Sequence, residues 1–140
     1  MKVFNKKITI QSKPYSLSEF TSEIKSVLLH SEIKEGILSI FCQHTSCSLV
    51  IMENADPSAR YDLENFIKRL VPENDPQFTH TYEGADDMPS HIKMALTRTS
   101  EMIPISNHNL MMGVWQGIFL WEHRSMPYSR NLFITIIGNT

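Results

Sequence analysis

The chain has 140 residues, 41% hydrophobic and 20% charged, and thirteen Lys and Arg against fifteen Asp and Glu give a formal charge of −2. This composition is globular rather than disordered, the length suits one domain spanning 1–140, and the missing basic surplus argues against a nucleic-acid partner. The longest apolar runs, 48–52 and 132–137, fall far short of the roughly 20 residues of a membrane span.

No apolar segment follows the charged start Lys2, Lys6, Lys7, so a secretory signal is not expected. Two cysteines, Cys42 and Cys47, are too few for a disulfide framework. The expected setting is the cytoplasm, with no membrane and no nucleic acid involved.

In chain order, Val3, Phe4, Ile8, Thr9 and Ile10 predict a strand over 2–11. Leu17, Phe20, Ile24, Val27 and Leu28 follow helical spacing, with Ser16 or Ser18 as N-cap. Gly36 opens a strand through Cys42, the polar break Gln43-His44-Thr45-Ser46 follows, and 49–52 is a second strand. Asp56-Pro57 predicts the clearest helix, since Asp accepts from a free N–H and Pro loses no bond at the first helical position. Leu63, Phe66, Ile67 and Leu70 give its buried stripe and Pro72 ends it. A long polar loop covers 73–90, of a length that is commonly functional. A short helix over 89–96 and strands over 102–105, 110–114, 117–122 and 131–137 complete the chain. Two main helices and about seven strands suggest an α+β domain built on a β-sandwich. Trp115, between two strands, is expected in the core.

Dinucleotide and P-loop fingerprints are absent, as is the G-x-S-x-G elbow, so no nucleotide cofactor is expected. The six histidines are more informative. His44 lies in the polar break, and His80 and His91 lie in and at the end of the acidic loop. Neutral imidazole is the commonest metal ligand, and three protein ligands with one open position define catalytic zinc. His44, His80 and His91 are therefore a candidate site for zinc or another transition metal. The alternative is unrelated surface or core histidines, since none has H-E-x-x-H spacing. Cys42-x-His44-x-x-Cys47 lacks a second pair, and its thiols read as small buried hydrophobes. The acids Glu53, Glu83, Asp86, Asp87 and Glu122 flank apolar segments, where each is either a solvated or capping residue or part of a site.

Five ordered motifs are more specific: His44-Thr45-Ser46, Glu53-Asn54-Ala55-Asp56-Pro57, the run from Glu83 through Lys93, Gly113-Val114-Trp115-Gln116-Gly117-Ile118 and Trp121-Glu122-His123-Arg124. Together they resemble the YjbQ-like family, also called the secondary thiamine-phosphate synthase family. The resemblance covers nearly the whole chain. It implies a β-sandwich with two helices, a homotrimer, and a polar pocket near the subunit boundary. It also implies weak thiamine-phosphate synthase activity, joining a pyrimidine pyrophosphate to a thiazole phosphate. On this basis Glu53, Lys93, Gln116 and Glu122 are expected to be catalytic. Asn54, Glu83, Asp87 and Arg124 are expected to bind a phosphorylated small molecule, and His44, His80 and His91 a metal. Synthase chemistry calls for Mg²⁺, which prefers oxygen ligands, whereas three imidazoles suit zinc. A non-catalytic trimer that binds a metal or phosphometabolite is the alternative. Two departures from the family pattern stand out: Cys47 replaces a small residue, and the segment around Tyr128-Ser129-Arg130 has fewer arginines.

Overall fold

A computed structural model describes all of residues 1–140. Eight strands and three helices follow in the order β1 (Lys2–Gln11), β2 (Leu17–Glu19), α1 (Thr21–Ser31), β3 (Glu35–Cys42), β4 (Cys47–Glu53), α2 (Pro57–Leu70), α3 (Asp87–Leu96), β5 (Ser100–Ser106), β6 (Asn109–Leu110), β7 (Gln116–Glu122) and β8 (Ser129–Asn139). The strands form two antiparallel sheets, of order β1-β8-β3-β5-β6 and β2-β7-β4. The α+β sandwich expected from the sequence is present.

Alternation of side chains across a strand builds the layers. The larger sheet turns Leu38, Ile40, Ile103, Ile105, Leu132, Ile134 and Ile136 inward, against Leu49, Ile118 and Leu120 of the smaller sheet and Phe20, Ile24, Val27 and Leu28 around α1. Each such aliphatic side chain contributes about 1.5–3 kcal/mol through burial. The other face of the smaller sheet carries Phe119 and Trp121, covered by Ile67 and Leu63 of α2. β7 is therefore buried on both faces.

Several expectations need correction. Leu17, predicted as the start of the first helix, lies in β2 paired with Trp121. The helix begins only at Thr21, and its N-cap residue is Phe20, without a side-chain cap. The edge of the smaller sheet takes those residues because Leu17 can bury beneath Trp121 and its N–H can reach the Glu64 carboxylate at 2.9 Å. α2 starts as predicted, with the Asp56 carboxylate accepting from Ser58 N–H at 2.9 Å. Its predicted stripe is only half realised, for Phe66 and Leu70 are exposed. Residues 110–114 form no full strand, because β6 ends at Leu110. Trp115 is 63% exposed, outside the core.

Gly117 shows why one motif needs glycine. A Cβ there would stand 2.6 Å from Glu19 Oε2 and 2.8 Å from Asn54 Cβ, so the β4 and β7 ends could not close on β2.

Candidate functional site

The polar residues divide between the two ends of the smaller sheet. The β4–β7 register places Glu53 opposite Gln116 at one end and Cys47 opposite Glu122 at the other. At 3.4 Å per residue the ends are roughly 20 Å apart.

At the Glu122 end, α3 sets the geometry. Asp87 and His91 are four apart on the helix and so share a face, and Pro89 in the first turn costs no helix hydrogen bond. Residues 71–86 run without helix or strand and carry His80 across to that face. Asp87 Oδ2 lies 2.7 Å from His80 Nε2 and 3.1 Å from His91 Nε2. The ligand atoms of the three residues all lie within 4.8 Å of one another. Asp87 is 1% exposed, while the His80 ring is open to solvent.

His91 Nδ1 donates to the Thr45 carbonyl at 2.7 Å, which in the neutral ring leaves a lone pair on Nε2. That lone pair faces the carboxylate of Asp87, so two acceptors oppose each other unless a cation or a proton stands between them. A carbonyl that fixes the tautomer of a histidine is the outer-sphere device of metal sites. Two imidazoles and a carboxylate, with one side open, suit zinc or another transition metal. The donor set therefore fits a metal.

Arg124 secures this arrangement. Its Nη1 donates to Asp87 Oδ1 at 2.8 Å, Nε to Asp86 Oδ2 at 2.8 Å and Nη2 to the Glu83 carbonyl at 3.2 Å. Ser125 adds two hydrogen bonds to Asp86 Oδ2. Burial raises the Asp86 carboxyl, but the bonds from Arg124 and Ser125 outweigh it and hold it at about 2. Burial likewise opposes ionisation of Asp87, yet the hydrogen bond to His80 and the nearby Arg124 guanidinium keep it below the ordinary carboxylate range. All three nitrogens of Arg124 are engaged within the protein, so it positions the two aspartates.

Glu122 is fully buried. Ser12 Oγ donates to its Oε1 at 2.6 Å, Arg130 Nε at 2.7 Å, and the Arg124 N–H to its Oε2 at 3.1 Å. Arg130 also donates to Ser46 Oγ at 2.9 Å. A carboxylate so enclosed holds the β7–β8 and β3–β4 connections together and has no open path for moving a substrate proton.

His44, expected as a third imidazole ligand, stands apart from the His80–Asp87–His91 group. Its Nε2 accepts the Asn131 N–H at 2.7 Å, and burial together with the Arg130 charge keeps the ring neutral. Lys93 is 2% exposed and on the Asp86 side of the site. Its Nζ lies 5.2 Å from the centre of the Tyr15 ring, whose hydroxyl bonds Glu73. Burial lowers the Lys93 pKa, the Glu73 carboxylate raises it and Lys68 lowers it.

At the far end, Glu53 is exposed and Gln116 Oε1 accepts the Gly113 N–H at 2.7 Å. Asn54 donates to Glu19 at 3.2 Å. Asn54 and Gln116 line an open cleft of about 620 Å³ with Lys25, Met112 and Val114. Within one chain, Glu53, Asn54 and Gln116 are thus separated from the histidines they were expected to join.

Residues 6–139 match the sequence profile of the family described as UPF0047 protein YjbQ-like. The chain belongs to this family. A UPF0047 protein of Synechocystis is 48% identical over 131 residues, covering 94% of this chain and 89% of that one. YjbQ of Escherichia coli O157:H7 is 41% identical over 136 residues, covering 96% and 98%. A solved structure from Clostridium acetobutylicum, described as an uncharacterised conserved protein of the yjbq/upf0047 family, has 30% identity and a TM-score of 0.85 over 94% of this chain and 98% of its own. A Sulfolobus solfataricus structure described as a YbjQ-like protein of unknown function, 24% identical with a TM-score of 0.85 over 99% of both chains, has the same fold.

Sequence reading of this YjbQ-like chain named His80, His91 and Asp87 but gave Asp87 a different role. Asp86 is read there as a solvated or capping acid or part of a site, and no role is given to Arg130, or to Ser46 and Thr45 beyond their place in a motif. The pattern that marks the centre is Asp87-x-x-x-His91: with α3 starting at Asp87, two residues ahead of the predicted 89–96 helix, this spacing puts a carboxylate and an imidazole on one helix face.

Proposed function

We propose that the protein is a cytoplasmic enzyme that binds a divalent transition metal, zinc above others, through His80, Asp87 and His91, and acts on a phosphorylated small molecule there. The observation that carries this reading is the His91 tautomer: with Nδ1 committed to the Thr45 carbonyl, Nε2 and Asp87 Oδ2 oppose each other across a gap suited to a cation. When bound, such a metal polarises a phosphoryl oxygen and acidifies water. The chain's part is to fix the ligands: Arg124 clamps Asp86 and Asp87, Thr45 orients His91, and Lys93 offers an ammonium without a hydrogen-bond partner. Two imidazoles and one carboxylate suit zinc better than the Mg²⁺ of diphosphate ionisation. Thiamine-phosphate synthase activity is, on this reading, weak and incidental.

The second reading, a non-catalytic binder of a metal or phosphometabolite, is favoured by the enclosure of Glu122 and the distance of Glu53. We propose further that the protein is a homotrimer. Val3, Ile37, Phe41, Met102 and Ile137 are exposed on strands of the larger sheet, and only a neighbouring subunit can bring Glu53, Asn54 and Gln116 near a metal at Asp87. Sedimentation as a monomer at micromolar concentration overturns the trimer.

The deciding experiment loads purified protein with Zn²⁺ and measures metal content, phosphate release from phosphate monoesters, and thiamine-phosphate formation. Stoichiometric zinc with phosphate release supports the enzyme. Stoichiometric zinc and tight phosphate binding without turnover supports the binder; absence of zinc binding overturns the enzyme, and absence of both zinc and phosphate binding overturns the binder as well.

A further inference from the structure

Cys42 and Cys47 end β3 and begin β4, one in each sheet. Both are buried, at 2% and 0% exposure, and their sulfurs are 3.3 Å apart. A disulfide bond is about 2.05 Å long, so the pair is roughly 1 Å of movement from closure. Between them runs only Gln43-His44-Thr45-Ser46. Three of these four residues hold other parts of the chain: the Thr45 carbonyl accepts from His91 Nδ1 at the site, while His44 Nε2 accepts the Asn131 N–H and Ser46 Oγ accepts from Arg130, both on β8. The thiols thus stand at the two feet of a loop that orients His91.

The surroundings distinguish the two sulfurs. The Cys47 thiol bonded to it favours the Cys42 thiolate, burial opposes it, and the His44 N–H and the Arg130 charge favour it again, so that its pKa falls. That same bond, together with burial, pushes Cys47 up. Either thiol can lead the attack on a peroxide, and the Cys42 thiolate is the form its neighbours favour. A cross-link closing so short a loop adds the least to stability through chain entropy. Its effect falls on the position of the loop instead.

We propose that Cys42 and Cys47 are a modification site, a dithiol that a hydroperoxide converts reversibly to a disulfide, and that closure shifts the Thr45 carbonyl away from His91. Cys42 sulfur attacks one peroxide oxygen, the O–O bond breaks, and hydroxide leaves, giving the sulfenic acid. The first hydroxide takes the Cys42 proton and leaves as water; Cys47 sulfur then attacks Cys42 sulfur, forming the S–S bond and breaking the S–O bond, and the sulfenic hydroxide leaves with the Cys47 proton as the second water. Two thiols lose two electrons and the peroxide becomes two waters. The consequence for metal affinity rests on the metal reading given above, whereas the cross-link itself does not.

The test treats the full-length reduced protein with hydrogen peroxide, then denatures, alkylates and maps the peptides by mass spectrometry. The expected product joins the Cys42 and Cys47 peptides and reverts with dithiothreitol. The Cys47→Ala variant, checked for folding by circular dichroism, should instead carry sulfenic or sulfinic acid on Cys42. Zn²⁺ affinity of the cross-linked wild type should fall about tenfold, the scale of losing an outer-sphere partner, and recover on reduction. The amide resonance of Asn131, whose N–H bonds His44, should shift between the two states. Thiols that stay free, or that oxidise singly without joining, overturn the proposal. A cross-link that leaves the Asn131 resonance in place overturns the loop displacement. If the reduced protein binds no zinc while the cross-link and the Asn131 shift appear, the metal reading fails and the redox site stands.

Discussion

Arg124 donates to Asp87 Oδ1 at 2.8 Å, which leaves Oδ2 of the same carboxylate to face two imidazoles. One oxygen is tied to the scaffold and the other is offered outward. The division gives Asp87 a fixed orientation without neutralising its outward side, and it makes Arg124 a positioning residue.

Asp87→Asn and His91→Ala should each abolish stoichiometric Zn²⁺ binding in calorimetric titration. His44→Ala should keep it within about threefold, because its ring nitrogen is engaged with the Asn131 N–H. That variant loses a partly buried hydrogen bond instead, and its urea midpoint should fall by the equivalent of about 1 kcal/mol.

Glu122→Gln removes the charge that Arg130 and Ser12 face in a closed interior. Breaking a buried ion pair from one side costs about 3–5 kcal/mol. The expected result is a urea unfolding curve shifted by that amount with an unchanged slope. A shift below about 1 kcal/mol would mean that Glu122 is not held as its hydrogen bonds indicate.

His123 supplies a pH dependence. Burial, with the Lys93 and Arg130 charges, lowers its pKa to about 3, and its Nε2 bonds Ser48 Oγ at 2.8 Å. The unfolded chain takes up this proton near pH 6.5, while the folded one stays neutral down to about 3. Between those values the unfolded state binds more protons, so folding stability falls as pH drops. The slope from this group approaches about 1.4 kcal/mol per pH unit. A His123→Gln variant should lose that part of the slope when unfolding is followed from pH 7 to pH 4.

Lys93→Met should separate binding from stability. Holding an ammonium in a largely buried side chain opposite Lys68 is costly, and Met has a similar shape. The variant is expected to unfold at a higher urea midpoint, by about 1 kcal/mol, while phosphate affinity of the zinc-loaded protein falls about tenfold. An unchanged phosphate affinity would remove Lys93 from the anion site.

The strands were the most legible part of the chain because alternation survives burial: Leu38, Ile40 and Leu132, Ile134, Ile136 can be read directly as inward positions. Asp56-Pro57 likewise marks the start of α2 by chemistry internal to the helix. Leu17 was misread because its spacing to Phe20 and Ile24 satisfies a helix, while pairing with Trp121, a hundred residues on, decides for a strand. Trp115 was misread for the opposite reason: a large aromatic between strands usually packs inward, and here a tight turn leaves it outside. At the site, His80 and His91 were legible as residue types in an acidic loop. Neither the choice of Asp87 over His44 as their companion nor the roughly 20 Å between Glu122 and Gln116 was legible. Both depend on strand register and on which atoms neighbouring backbone groups already occupy.

The contacts between Ser12 and Glu122 and between Arg130 and Ser46 join segments 110 and 84 residues apart in the chain. Loop-closure entropy delays such contacts until most of the surrounding structure exists. β8, which brings Arg130, follows the other seven strands in the chain and sits between β1 and β3. A nascent chain arrested before residue 129 therefore has its histidines, Thr45 and Arg124 but not the strand that joins β1 to β3 beneath them. On the proposed metal reading, zinc binding should appear abruptly once β8 has been made, rather than grow with chain length.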